Sequence, residues 1–227
     1  MRSHFILIPS HFGVWMSPDK AIHPTNEAIY RITTVFTILD TLYLRNPSDF
    51  LTIGYLILGI VSPLNPHDVR AIFFVGGARP DGELSEAQLE MLWAEEEYSD
   101  YFCHLPNREV RAVAVGNSTA ENFAAATDEI VKILGSNDPG KTNIHVVGHP
   151  DHTEMIAFII KKRLETHEFW GKLEIIQYRS GEKAPYSPLE KAILWYGLRK
   201  DPFWEGKCTT TKLLRWWTHF QRHRKGR

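Results

Sequence analysis

The stretch RAVAVGNSTAENFAAATDEIVKIL, Arg111 to Leu134, decides the fold. Ala112, Val113, Ala114 and Val115 make a short apolar run, the pattern of a strand covered on both faces. Gly116 and Asn117 interrupt it. Ser118 stands three residues before Glu121, a capping box in which the hydroxyl takes the free amide at N3 and the carboxylate reaches back. Phe123, Ala124, Ile130, Val131 and Leu134 recur at helical spacing, and Gly135 stops the helix. A strand that passes directly into a capped helix presents its polar turn, and the exposed amides of the helix start, at one edge of a sheet.

The same pattern recurs on both sides. Ala71 to Val75 is a strand running into Gly76-Gly77, and Ser85, three before Gln88, opens a helix through Leu89, Leu92 and Trp93. Asn143 to Val147 runs into Gly148-His149-Pro150, after which Asp151 and Glu154 start a helix bearing Met155, Ile159 and Leu164. Phe5 to Ile8 and Leu173 to Tyr178 supply the first and last strands. Ser187, Pro188 and Glu190 announce a further helix that Asp201-Pro202 ends, and a last helix runs from Thr210 to about Arg222. After the first strand the chain reads as loop to Pro24. A helix then starts at Thr25 or Asn26 and carries Ile29, Ile32, Val35, Phe36, Leu39 and Leu42. A second, nearly all-apolar helix covers Asp49 to Val61.

Strands alternating with capped helices predict an α/β fold, a Rossmann-like open, mostly parallel sheet of about five strands with helices on both faces. Residues 1–180 make this domain, with a helical insert near 48–64, and residues 181–227 form a C-terminal helical extension packed on it.

A chain of 227 residues, 43% hydrophobic and 23% charged, has enough apolar residues for one large core. Its net charge of -1 provides no overall field to gather nucleic acid, which is not expected as a partner. The charge is uneven: residues 83–100 are acid-rich and residues 212–227 basic. Two cysteines, Cys103 and Cys208, suit a reducing compartment. The apolar run Phe5 to Ile8 is too short for a signal peptide, and Phe50 to Leu64 gives about 15 residues against the roughly 20 that cross a bilayer. The cytoplasm is the expected location.

Right-handed crossovers bring the turns at Ser10–Gly13, Gly76–Ser85, Gly116–Thr119 and Gly148–His152 to a common crevice. Gly76 and Gly77 permit close backbone approach or simply a turn; neither GxGxxG nor a P-loop lysine is present. Ser85, Ser118 and Thr119 serve as caps or as donors to a polar ligand, and Glu86 and Glu121 are first-turn acids. Asn122 lies inside the helix, where the cap has no use for it, so a hydrogen bond to a neighbouring loop or to a ligand is expected. His149, Asp151 and His152, with Glu154 nearby, form the densest cluster of proton carriers. Two histidines and a carboxylate can hold Zn or Mn, but the spacing is not H-E-x-x-H, and a proton-transferring His152 is the better expectation than a bound metal.

The leading expectation is a small nucleotide-like or anionic ligand in the crevice. Glu86 or Asn122 would hold ribose or amino groups, amides near Gly77 and Thr119 would face anionic atoms, and His152 would contact the reacting group. Gly76, Ser85, Ser118, Glu121 and His149 complete the lining. Two alternatives stand beside it. One is a metal-assisted phosphoester or pyrophosphate hydrolase built on His149, Asp151 and His152. The other is a non-enzymatic surface for membrane or partner at the C-terminus, where Leu213, Leu214, Trp216, Trp217 and Phe220 alternate with Arg215, Arg222, Arg224, Lys225 and Arg227. The plain reading of that segment is a docked helix with a solvated basic tail.

Taken together, these motifs resemble the ElyC/SanA/YdcF family, a bacterial domain family of largely unassigned function. The resemblance rests on Phe73-Phe74-Val75-Gly76-Gly77 with Ser85-Glu86-Ala87, on Thr119-Ala120-Glu121-Asn122, and on Val146-Val147-Gly148 with His152. Arg31 matches an arginine of the first helix, and the likeness spans roughly Thr25 to Leu164. It implies a Rossmann-like fold, S-adenosylmethionine as a candidate ligand, and a role in cell-envelope or polyprenyl-phosphate metabolism. The chain departs from the family where Pro9-Ser10-His11 replaces a glycine after the first strand, where Met155 replaces an arginine three residues after the histidine, and in the apolar insert Phe50 to Leu64 and the part from Ser180 onward.

Overall fold

The computed structural model describes residues 2–9, 14–16, 34–38, 41–45, 64, 66–77, 85–97, 110–116, 118–135, 140–148, 150–179, 188–214 and 216. Five strands form one all-parallel sheet: β1 (Arg2–Pro9), β5 (Val69–Val75), β6 (Val110–Val113), β7 (Lys141–Gly148) and β8 (Leu173–Arg179). They stand in the order β6-β5-β1-β7-β8. This is an α/β, Rossmann-like fold. The chain steps outward from β1 to β5 to β6, returns across the sheet to β7 on the other side of β1, and ends on β8. Strand order therefore reverses between β1 and β7.

Among the described residues, helices α1 (Glu86–Glu97), α2 (Thr119–Leu134), α3 (Pro150–Leu164) and α4 (Pro188–Lys200) accompany the sheet, and the chain is helical again from 209. The β5-to-β6 and β6-to-β7 connections cross the sheet in opposite directions, so right-handed crossovers place α1 and α2 on opposite faces. The burial pattern agrees. Phe5, Leu7, Ala71, Phe73, Ile144 and Val146 point into one cluster with Phe123 and Ile130 of α2 and with Ile156 and Ile160 of α3. The alternate residues Ile6, Ile8, Ile72 and Phe74 are just as buried on the other face. Both faces of the central strands are covered, which is why they read as unbroken apolar runs rather than alternating ones.

Asp128 of α2 receives two hydrogen bonds from Arg163 of α3, at 2.7 and 2.8 Å, and ties those helices at their surface. The C-terminal part joins the same core through Leu198 and Trp204, and Trp195 of α4 meets Phe158 of α3 edge to face.

Three expectations change. The helix expected from Thr25 through Leu42 is instead, where described, an antiparallel hairpin, β3 (Thr34–Ile38) and β4 (Thr41–Arg45). The loop expected before Pro24 contains β2 (Val14–Met16), which pairs with β4 to complete a three-stranded sheet. Thr34, Val35, Thr37, Ile38 and Thr41 are β-branched and stiff at χ1, which favours the extended chain over the helix. Third, the β6 strand ends at Val113, and Val115 is 68% exposed rather than part of a buried run. The apolar stretch Asp49 to Val61, the turn at Ser10–Gly13, Arg31 and His149 lie outside the described residues. Among the described residues no helix is long and apolar enough to cross a membrane.

Candidate functional site

Because every strand of the main sheet runs the same way, Gly76, Val113 and Gly148 end at one edge. The β6–α2 corner there is built in detail. Ser118 is the N-cap of α2, with extended backbone (φ -124, ψ 150), and its Oγ accepts from the Glu121 amide at 3.2 Å. The same hydroxyl donates to Glu121 Oε2 at 2.8 Å. The expected pairing of Ser118 with Glu121 is present, with the carboxylate received by the hydroxyl.

Asn122 explains why the strand stops early. Its Oδ1 accepts from the amides of Val115 and Gly116 at 3.0 and 2.9 Å, and its Nδ2 donates to the Gly116 carbonyl at 3.2 Å. The side chain, only 3% exposed, replaces a neighbouring strand as partner for this backbone and bends it into the helix. Asn122 thus holds the loop, the first of its two expected roles. Two donors already occupy its Oδ1.

Gly116 packs directly against the helix start. A Cβ there would lie 2.8 Å from Glu121 Cβ and 2.7 Å from Glu121 Oε2, so only glycine fits. Gly76 is tied to the same corner, its amide donating to the Val113 carbonyl at 3.1 Å, and Gly77 beside it is buried. The ends of β5 and β6 are therefore joined to the start of α2.

The β7–α3 corner meets this one. His152, in the first turn of α3 and 6% exposed, brings Nε2 to 3.4 Å from Thr119 Oγ1 at the first position of α2. Thr119 and His152 are 33 residues apart in sequence. The beginnings of two helices on the same face of the sheet are in contact, beside the place where strand order reverses.

Other expected site residues lie apart from this contact. Ser85 caps α1 on the opposite face: its Oγ accepts from the Gln88 amide at 3.1 Å, and Gln88 Oε1 accepts from the Ser85 amide at 2.7 Å. Glu86 opens α1 on that face. Asp151 faces away from His152 chemically, because its carboxylate forms an ion pair with Lys191 of α4. That pairing holds the Lys191 ammonium above its ordinary pKa, chiefly through the hydrogen bond it donates to Asp151. Among the described residues, no group of three or more His, Cys, Asp and Glu side chains is gathered to hold a metal ion.

Two polar arrangements were invisible to sequence reasoning. On the face opposite α2, His4 Nδ1 lies 2.8 Å from His145 Nε2, with the side chains 7% and 2% exposed. Burial, and then the neighbouring His4, push the His145 imidazole from the usual 6.5 down to about 4. His145 stands between Ile144 and Val146, and His4 adjoins the apolar run Phe5 to Ile8, which is the one signal the sequence carries. Beyond α4, the fully buried Asp201 accepts from the amides of Glu205, Gly206 and Lys207 and from Thr211 Oγ1, at 2.8 to 3.0 Å. Desolvation raises its pKa, but the bonds from Thr211, Lys207, Glu205 and Gly206 outweigh that and hold the carboxyl below its usual range. The turn it organises includes Trp204 at φ +51, a left-handed conformation uncommon for a bulky residue.

No protein-family model matches this chain, and neither a curated protein nor a solved structure matches it.

Proposed function

We propose that the strand-end crevice between β1 and β7 binds a small nucleotide-like or anionic ligand, with S-adenosylmethionine the first candidate. The observation that carries this reading is the meeting of Thr119 and His152 where the starts of α2 and α3 converge beside the reversal of strand order. Ligands in open parallel sheets settle at such points, and helix N-termini there present amides and positive dipole ends to negative groups. Ser118 satisfies the Glu121 amide, while those of Thr119 and Ala120 precede it in the same first turn. In this reading Thr119 and the α2 amides receive anionic or hydroxyl groups, and His152 contacts the reacting part of the ligand. Asn122, Ser118 and Glu121 act through the shape of the turn. Membership of the ElyC/SanA/YdcF family, and with it a place in envelope or polyprenyl-phosphate metabolism, is part of the same proposal and rests on the sequence motifs.

Titration calorimetry with S-adenosylmethionine, ATP and inorganic pyrophosphate tests it. One of these should bind the wild-type chain, and Thr119→Val and His152→Ala should each weaken that ligand at least about tenfold, the loss of one or two hydrogen bonds to a charged group. No heat from any of them at about millimolar concentration, where a Kd near 1 mM would still register, refutes the reading.

A further inference from the structure

The C-terminal two-helix unit carries an apolar surface that the core does not use. On α4, Leu189, Ile193 and Tyr196 recur at i, i+4 and i+7 and are 70%, 39% and 56% exposed. The other side of α4 is committed to the fold, with Leu198 in the core and Trp195 against Phe158. The chain is helical again from 209, and this second helix crosses α4 at Gly197, where an added Cβ would stand 3.2 Å from Leu214 and 3.5 Å from Thr211. Thr211 is fully buried, whereas Leu213 and Trp216 turn outward at 60% exposure each. The four hydrogen bonds to Asp201 fix the turn between the helices, so the outward face belongs to a built unit.

Charge indicates what covers that face. Residues 188–227 contain ten Lys and Arg against three Asp and Glu, in a chain whose net charge is -1. Of the three acids, Asp201 is buried and Glu205 is paired with Lys207. Arg199, Lys200 and Lys212 are exposed, and none has an ion-pair partner among the described residues. Lys200 continues the Leu189–Ile193–Tyr196 stripe, and Lys212 adjoins Leu213. We infer that this face docks on an anionic lipid surface, the aliphatic and aromatic side chains entering the interface and the cations meeting lipid headgroups. A second copy of the chain is disfavoured, because a two-fold contact would set these cations against themselves. Nucleic acid would use the cations and the tryptophan but has no use for exposed leucine and isoleucine.

Co-sedimentation of the full chain with vesicles tests the inference, using phosphatidylcholine alone and phosphatidylcholine with about 30% phosphatidylglycerol. The wild-type chain should partition at least about tenfold more strongly onto the anionic vesicles and lose most of that at about 0.5 M salt. Ile193→Glu/Leu213→Glu and Lys200→Glu/Lys212→Glu should each reduce partitioning at least about tenfold with unchanged thermal midpoints, and Leu189→Glu alone should reduce it in the same direction. Equal partition onto both vesicles, or apolar variants that bind like wild type, overturns the inference. So does a lipid-free dimer abolished by Ile193→Glu/Leu213→Glu, or binding of single-stranded RNA that only the lysine variant loses.

Discussion

Lowering the pH should destabilise the protein through His145. The native state keeps this buried imidazole neutral down to about 4, while the unfolded chain takes up the proton near 6.5. Between those values the unfolded state binds more protons, so stability falls as pH falls, and it is level above and below the window. The whole effect is about 3 kcal/mol, of which about 2 kcal/mol is lost between roughly pH 7.5 and pH 5. With a urea dependence of about 2 kcal/mol per molar, the midpoint should drop by about 1 M over that range. His145→Gln keeps a group able to bond the His4 ring but cannot take up a proton, so its midpoint should change far less between the same pH values. Fluorescence-detected urea melts of both proteins suffice. A wild-type midpoint that does not move, or a Gln variant that drops as far as wild type, refutes the reasoning.

Asn122→Ala removes the acceptor of two backbone amides in a buried corner and should cost about 2–4 kcal/mol in the same melts. Gly116→Ala drives a Cβ into the first turn of α2 and should cost about 1–3 kcal/mol by forcing the helix start to shift. Asp201→Ala leaves three amides and the Thr211 hydroxyl without their acceptor; a loss of about 3–5 kcal/mol is expected, seen as a lower thermal midpoint. Because the Asp201 carboxyl is held below its usual range, this contribution is intact at neutral pH and disappears only as acid reaches the carboxylate range, clear of the His145 window.

The sequence made the parallel sheet legible because its signals are local. An apolar run, a glycine and a capping pair lie within fewer than about twenty residues of each other, and each acts through its nearest neighbours. Asn122 could be flagged for the same reason, since an asparagine inside a good helix needs a partner. The hairpin at β3 and β4 is hidden because Val35, Phe36, Leu39 and Leu42 satisfy helical spacing, while the preference of Thr34, Val35, Thr37, Ile38 and Thr41 for extended chain shows no period of its own. β-branching at those five positions decides against the helix. Asp201 beside Pro202 carries the signature of a helix end; its service to four donors depends on a turn whose shape, with Trp204 left-handed, has no local sequence signature.

What the sequence lacked entirely was pairing across distance. His4 and His145 are 141 residues apart and become neighbours only because β1 and β7 lie side by side. That adjacency follows from the reversal of strand order, and the reversal also brings Thr119 to His152. The buried histidine pair and the candidate site are two consequences of one topological choice. They differ in what surrounds them: the histidines occupy strand interiors, where burial suppresses charge, whereas Thr119 and His152 occupy helix starts, where the backbone favours negative charge nearby. A sheet of this order therefore separates a structural proton-sensitive contact in mid-sheet from a ligand edge at the strand ends. Conditions that titrate the first should change stability without directly removing the groups proposed to bind at the second.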